Sequence, residues 1–177
     1  MQAIKDLSAT AEGDAMISEL QNSSNNFYIK KGNNSFKAIS LRASFGNIPE
    51  LRDIDPQLPI IGSGGIISWD SNSWNGGINE CGETSRPPYI GLGHEFAHAR
   101  DANRGLLYPS NSYGAYVPTI DGVLKSEWRA VYIENILRLQ AGLPLRTHYG
   151  IKNGIGIGPL LSPFGKPLNF PLWKCQN

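Results

Sequence analysis

The spacing of apolar and polar residues predicts two helices in the second half of the chain. Small and apolar residues recur at helical intervals in the segment that follows Ser85, and Gly105 is a stop signal at its end. Ser85 is a candidate N-cap, and Pro87 and Pro88 suit the first turn, where no intrahelical donor is lost. The stretch from Ser126 to Arg138 is rich in helix formers and apolar on most sides, so we expect this second helix to be largely buried.

Short apolar runs predict strands in the first half of the chain. Phe27–Lys31 and Phe36–Ser40 flank Gly32–Ser35, a combination that predicts a β-hairpin. Leu58–Ile61 and Gly65–Trp69 are separated by glycine and serine and are predicted strands as well. Helices together with short strands favour an α+β fold in which a small twisted sheet packs on the helices.

The composition is typical of a globular protein with one domain. The chain has 177 residues, of which 40% are hydrophobic, and its net charge is +1. This balance gives no electrostatic reason to expect nucleic-acid or membrane binding. The N-terminus lacks the apolar core of a classical signal peptide, and no apolar run approaches transmembrane length. We expect one monomeric domain over residues 1–177, with residues 1–25 as a candidate flexible segment.

The strongest chemical signal is an H-E-x-x-H motif in the first predicted helix, formed by His94-Glu95-Phe96-Ala97-His98. Positions four apart lie on one helix face, so His94 and His98 can bind the same metal ion. Glu95 projects beside them and can take a proton from the attacking water. This arrangement is typical of zinc hydrolases. A buried helix with two hydrogen-bonded histidines is the competing interpretation.

A catalytic zinc ion usually has three protein ligands, and the second predicted helix offers two glutamates for the third position. Glu127 and Glu134 are seven residues apart and share a face with Arg138. Buried carboxylates need cationic partners, so one glutamate can bind zinc while the other pairs with Arg138 or with a ligand histidine. Asp101, three residues after His98, can accept a hydrogen bond from a ligand imidazole, or it can be a solvated carboxylate beside neighbouring arginines.

Two blocks of the sequence, PPYIGLGHEFAHARDANRG and EWRAVYIENILRLQAGLPLRTHYG, resemble a known group of proteins. They are similar to the NleD-type effector metallopeptidases and to related toxin domains at the C-termini of large secreted bacterial proteins. The shared pattern is the H-E-x-x-H-A helix that closes at Gly105, then Glu127, then E-N-x-x-R and G-L-P-x-R-x-x-Y elements. In this chain the last two elements are residues 134–138 and 142–149.

The resemblance implies a zincin fold of the glutamate-ligand type with one zinc ion, and it favours Glu127 over Glu134 as the third ligand. It also implies an endopeptidase that is secreted by a bacterial producer without a classical signal peptide and cleaves a protein in the cytoplasm of a target cell. Two alternatives stay open. One is a zinc amidase that acts on bacterial cell wall, and the other is a non-catalytic binding module that keeps zinc for structure.

Other segments supply candidates for catalysis and for substrate binding. His148 and Tyr149 follow the second helix, and either side chain can stabilise an oxyanion, although a surface histidine is the commoner case. Zincins pair an extended substrate with an antiparallel edge strand beside the active helix. The candidate strand consists of Gly65, Ile66, Ile67, Ser68 and Trp69, and a core strand is the alternative. The polar segment from Leu106 to Ile120 can wall the cleft or serve as a mobile connection.

The two cysteines, Cys81 and Cys175, match no metal-binding spacing. They permit one disulfide between the tail and the region before the active helix, and two free thiols are the alternative.

Overall fold

Helices and short strands alternate along the chain, so the fold is α+β. The structure, a computed structural model, describes residues 1–109 and 123–160. The elements in chain order are α1 (Gln2–Ser8), α2 (Ala11–Gln21), β1 (Phe27–Lys31), β2 (Ser35–Ala38), α3 (Leu41–Ser44), α4 (Pro49–Ile54), β3 (Gly65–Trp69), α5 (Pro88–Asn103), α6 (Lys125–Gln140), β4 (His148–Lys152) and β5 (Ile155–Pro159).

The long helix α5 runs through the centre of the molecule, and twelve of its 16 residues are buried. It begins at Pro88 with Pro87 in the N-cap position, so the prediction that Ser85 caps it is wrong. Ser85 instead forms an isolated β-bridge with Asn75. The predicted stop is confirmed, because Gly105 adopts a φ of 70° directly after the helix, a conformation that glycine adopts without strain.

The predicted second helix is confirmed as α6, which packs against α5. The two helices approach closely at Gly93. A Cβ atom at this position would lie only 2.3 Å from Leu137 Cδ1, so a larger residue would push the helices apart. Because α6 lies this close to α5, its carboxylates can reach the histidines of the neighbouring helix.

The three-stranded sheet has the order β1-β3-β2, with β1 parallel and β2 antiparallel to β3. The predicted hairpin is therefore wrong, because β1 and β2 are sequence neighbours but do not pair with each other. Strand β3 lies between them. Ile67 and Trp69 of β3 are buried in the core, whereas Tyr28 and Ile29 of β1 are exposed. The most apolar strand therefore takes the central position.

The strand at Gly65–Trp69 is confirmed within its predicted bounds, but it is a core strand and not an edge strand. Both of its edges already hydrogen-bond neighbouring strands, so it has no free edge for a substrate. The strand predicted at Leu58–Ile61 is wrong. Pro59 lacks the N–H group that a sheet would use, and the side chains of Ile60 and Ile61 are exposed.

Residues 1–25, predicted as a candidate flexible segment, form two helices that contribute to the core. Leu7, Met16 and Leu20 of α1 and α2 are buried in the same hydrophobic cluster as α5. An ion pair between Glu12 and Arg100, at 2.6 Å, also joins α2 to α5. Among the helices of the described residues, none is long and apolar enough to cross a membrane.

Candidate metal centre

One face of α5 and the first turn of α6 bring three potential metal ligands together. His94 and His98 lie one turn apart on α5, and both rings face Glu127 of α6. His94 Nε2 lies 3.3 Å from one carboxylate oxygen of Glu127, and His98 Nε2 lies 3.3 Å from the other. All three ligand atoms lie within 4.8 Å of one another. The two histidines are buried, and the Glu127 side chain is 25% exposed toward the cleft.

This geometry is able to hold a metal ion. Ligand atoms at 2.0–2.1 Å from a tetrahedral zinc ion are separated by about 3.3–3.4 Å, and each histidine Nε2 lies at such a distance from one of the two Glu127 oxygens. The donor set of two imidazoles and one carboxylate is also one that catalytic zinc sites use. Burial raises the pKa of Glu127, but hydrogen bonds from His94 and His98 lower it by a larger amount. Its net pKa therefore lies well below the usual range. The carboxylate is therefore ionised and able to bind a cation.

Glu95 differs from the other carboxylates of the site because it is not held by a cation. It is 95% buried and lines the cleft beside both histidines, and no ion pair within 4 Å joins it to any of the described residues. Burial raises the pKa of Glu95, although the neighbouring His94 and His98 partly offset this. A carboxylate with a raised pKa and free oxygens is suited to accept a proton and to give it away again.

Glu134, the alternative ligand, lies on the other side of His94 and supports it. Its Oε2 atom lies 3.2 Å from His94 Nδ1, so the Nε2 atom of this ring is left to face Glu127. The carboxylate is fully buried and also pairs with Arg86, Arg138 and Arg146 at 3.0, 3.0 and 2.8 Å. Burial raises the pKa of Glu134, but the charges of Arg146 and Arg86 outweigh this and hold it well below its usual range. The predicted pairing with Arg138 or with a ligand histidine is thus realised with both.

Asp101 does not hold a ligand histidine, contrary to the first interpretation of its position. It is buried, which also contradicts the solvated alternative, and it accepts a hydrogen bond from Arg129 Nη2 at 2.8 Å. The pair links the C-terminal part of α5 to α6. Burial raises the pKa of Asp101 in spite of the Arg129 charge.

The two candidate oxyanion stabilisers lie in different surroundings. Tyr149 lines the cleft together with Glu95, and its hydroxyl hydrogen-bonds Glu127. Burial and the charge of Glu127 raise the pKa of Tyr149, so the hydroxyl keeps its proton and can donate a hydrogen bond to an oxyanion. His148 is not among the residues that line the cleft. Its ring lies over Gly156 of β5, and its Nδ1 atom contacts Thr147 Oγ1 at 3.0 Å.

The cleft in front of these residues has a volume of about 560 Å³. Strand β2 forms one wall, and Leu107, Tyr108 and Pro109 form part of another. The predicted wall from Leu106 to Ile120 is therefore supported at its first residues, and the rest of it lies outside the described residues. The segment predicted to bind substrate, Gly65–Trp69, does not line the cleft, and the neighbouring strand β2 lines it instead.

Sequence reasoning missed two arginines of the site, Arg86 and Arg146. Both line the cleft, and both pair with Glu134 behind His94. Arg146 belongs to the G-L-P-x-R-x-x-Y element, but this motif alone does not show that Arg146 contacts Glu134. Arg86 precedes the two prolines that start α5, and no local pattern signals its role.

Cys81 is exposed. Its predicted partner, Cys175, lies outside the described residues, so the possible disulfide stays a prediction.

Comparison with protein-family models found a match over most of the chain. Residues 1–149 match the model of peptidase family M91, which is described as effector protein. No curated protein and no solved structure gave a significant match. The matched residues include the N-terminal helices, the sheet, α5 and α6, so the match extends over the metal centre and the elements that support it.

Proposed function

Since the chain belongs to peptidase family M91, a family of effector proteins, we propose that it is a zinc-dependent endopeptidase that cleaves a specific protein inside a target cell. The observation that carries this proposal is the cluster of His94, His98 and Glu127 beside the unpaired carboxylate of Glu95. A zinc site that served structure alone would not need a buried carboxylate without a cationic partner. We propose that the protein acts as a monomer in the cytoplasm of the target cell, after secretion by a bacterial producer.

In this mechanism, His94, His98 and Glu127 would hold the zinc ion. When bound, zinc supplies a Lewis acid that polarises the scissile carbonyl and lowers the pKa of a water molecule toward about 7. Glu95 takes a proton from the attacking water and delivers it to the leaving amine. Its raised pKa supports both steps, because the acid form must be accessible near neutral pH.

Two further side chains complete the proposed mechanism. Tyr149 donates a hydrogen bond to the oxyanion of the tetrahedral intermediate, a role supported by its position in the cleft and by its raised pKa. Glu134 accepts a hydrogen bond from His94 Nδ1 and leaves Nε2 as the nitrogen that would hold the zinc ion. Of the two candidate oxyanion stabilisers, we therefore propose Tyr149 and not His148.

We propose that the extended substrate pairs with β2 instead of β3. Strand β2 hydrogen-bonds β3 on one side only, and its other side faces the cleft. Directly after β2, the Ile39 N–H group donates to Gly64 O, which directly precedes β3. In an antiparallel pair every second residue bonds the same neighbouring strand. The backbone groups of Phe36 and Ala38 therefore point away from β3 and can pair with a substrate strand.

The experiment that tests the proposed activity compares new protein N-termini in cells that express the wild-type chain or Glu95→Gln. We expect a small set of cleaved proteins that appears only with the wild type, and little digestion of unfolded casein in vitro. If no new N-terminus depended on Glu95, the peptidase proposal would be wrong. Release of amide-linked products from purified peptidoglycan would then favour the cell-wall amidase.

A further inference from the structure

The buried cluster behind His94 holds more positive than negative charge. Three guanidinium groups surround one carboxylate: Arg86, Arg138 and Arg146 all pair with Glu134, and none of the four residues is more than 7% exposed. With a divalent metal ion bound, the two other carboxylates of the site, Glu95 and Glu127, would balance its charge. The cluster therefore keeps two uncompensated positive charges in a region of low dielectric, where such charges attract an anion strongly.

The three arginines differ in how many hydrogen bonds their guanidinium groups donate. Arg146 donates to Glu134, to His148 O and to Tyr149 O, and Arg138 donates to Glu134, to Pro144 O and to Gly76 O. Within residues 1–109 and 123–160, the Arg86 guanidinium donates to Glu134 alone, through Nη1. Among the described residues, no acceptor pairs with the buried Arg86 Nε. Arg86 lines the cleft, so it is the arginine with donors left for a ligand.

A second donor group lies beside Arg86. A Cβ atom on Gly91 would lie 2.9 Å from Arg86 Nη2 and 3.3 Å from Asn34 Nδ2, so both donors meet over this glycine in the second turn of α5. Asn34 Oδ1 already accepts the Asp70 N–H group at 2.9 Å, which leaves the Nδ2 side of this amide to donate. The nearby N-terminus of α5 has no side-chain cap, and it adds partial positive charge.

We propose that Arg86 and Asn34 form a subsite for an anionic side chain of the substrate, either a carboxylate or a phosphate. This inference rests on the proposed peptidase function. Asn34 directly precedes β2, so an acidic residue of a peptide paired with β2 reaches the subsite a short distance from the scissile bond. A planar guanidinium next to an amide group offers the forked donors that both anions accept.

The first arm of the test measures cleavage in a proteome-derived peptide library. The zinc-loaded wild-type protein digests the library, and the cleaved ends are sequenced by mass spectrometry. We expect Asp, Glu or phosphorylated residues to be enriched at one fixed distance from the cleaved bond. An enrichment that phosphatase treatment abolishes identifies phosphate as the anion, and one that persists identifies carboxylate. Cleavage without any acidic enrichment overturns the proposal.

The second arm does not depend on cleavage. Immobilised, zinc-loaded Glu95→Gln protein is incubated with the same library, and the retained peptides are sequenced. We expect acidic peptides to be retained about tenfold over neutral ones, because each pairs with a desolvated guanidinium. Equal retention overturns the subsite whether or not the wild type cleaves anything. Acidic retention together with no cleavage by the wild type would instead contradict the peptidase function and leave the subsite supported.

Substitutions made in the Glu95→Gln background separate the subsite from a general structural role. Arg86→Met should abolish the preference for acidic peptides over neutral ones. Asn34→Leu should weaken that preference several-fold, as expected for one lost hydrogen bond to an anion. Arg42→Met is the matched control, because Arg42 is an exposed cation that pairs with Asp55 outside the cleft. If Arg86→Met does not fold, the weaker preference expected for Asn34→Leu is the result that tests the proposal. An unchanged preference in the folded variants overturns the proposal.

Discussion

Glu127 and Glu134 lie seven residues apart on α6, and their surroundings differ although both glutamates lie beside the same histidine. Glu127 contacts the Nε2 atoms of His94 and His98 and faces the cleft. Glu134 contacts the Nδ1 atom of His94 and is enclosed by three arginines, with no exposed surface. Cations lower the pKa of both carboxylates, but the cations are imidazoles in one case and guanidinium groups in the other.

This difference separates a carboxylate that can bind metal from one that supports a ligand. The arginine partners of Glu134 are permanent charges that contact both of its oxygens, so a metal ion at Glu134 would have to compete with three buried cations. The partners of Glu127 are themselves metal ligands, and a metal ion placed among them replaces their hydrogen bonds with coordinate bonds. Position on the helix alone does not distinguish the two glutamates.

The largest expected effect is the loss of activity when Glu95, the carboxylate of the site without a cationic partner, is replaced. Glu95→Gln should lower kcat by about 10³- to 10⁴-fold and leave one zinc ion per chain, because the ligands remain while the proton acceptor is lost. Elemental analysis and peptide cleavage measure the two quantities. Substantial activity in this variant would remove Glu95 from the mechanism.

Removal of Glu127 tests the metal-binding side of the comparison. Glu127→Ala should weaken zinc binding by more than about 100-fold, since the effect must exceed the range that supporting residues produce. Competition with a chelator of known affinity measures the change. Similar zinc affinity in Glu127→Ala and Glu134→Ala would mean that the two glutamates are not divided into ligand and support.

Removal of the Glu134 charge tests the supporting side. Glu134→Gln should lower zinc affinity by about 10- to 100-fold, because His94 loses its negatively charged acceptor. It should also lower the free energy of unfolding of the zinc-free protein by about 3–5 kcal/mol, since three buried arginines lose their counter-charge. Urea titration measures stability. A zinc-free Glu134→Gln protein as stable as the wild type would argue against the arginine cluster.

The pH dependence of zinc binding tests both glutamates through the histidine between them. Burial lowers the pKa of His94, but hydrogen bonds to Glu127 and Glu134 raise it to about 9 in the zinc-free protein. Zinc must therefore displace a proton from His94 below that pH, and its apparent affinity should fall about tenfold per pH unit from pH 9 to pH 7. Chelator competition across this range measures the slope. In Glu134→Gln the slope should begin at a lower pH, and an affinity independent of pH in the wild type would contradict this assignment.

The parts of the fold that could be predicted depend on local signals. The helix α5 has its motif and its stop at Gly105 within one segment, and α6 has its apolar faces within another, so both were found. The hairpin prediction failed at Phe27–Lys31 because the segment that separates the two strands, β3, comes about 30 residues later. Periodicity in β1 and β2 contains no information about an inserted strand.

The same limit applies to the site. His94, Glu95 and His98 are neighbours in sequence, so their shared helix face could be derived from spacing alone. Arg86 lies 48 residues before Glu134, and Arg146 lies 12 residues after it, so their convergence is a tertiary event that no local pattern encodes. Asp101 shows the same limit, because its partner Arg129 comes from the other helix.

The position of β3 between β1 and β2 has a consequence during synthesis. The ribosome releases β1 and β2 first, and neither strand has a partner until residues 65–69 have left the exit tunnel. During that interval the nascent chain exposes two unpaired strands, which are available for pairing with other chains. Chains arrested before residue 65 should therefore depend on chaperones far more than chains arrested after residue 109.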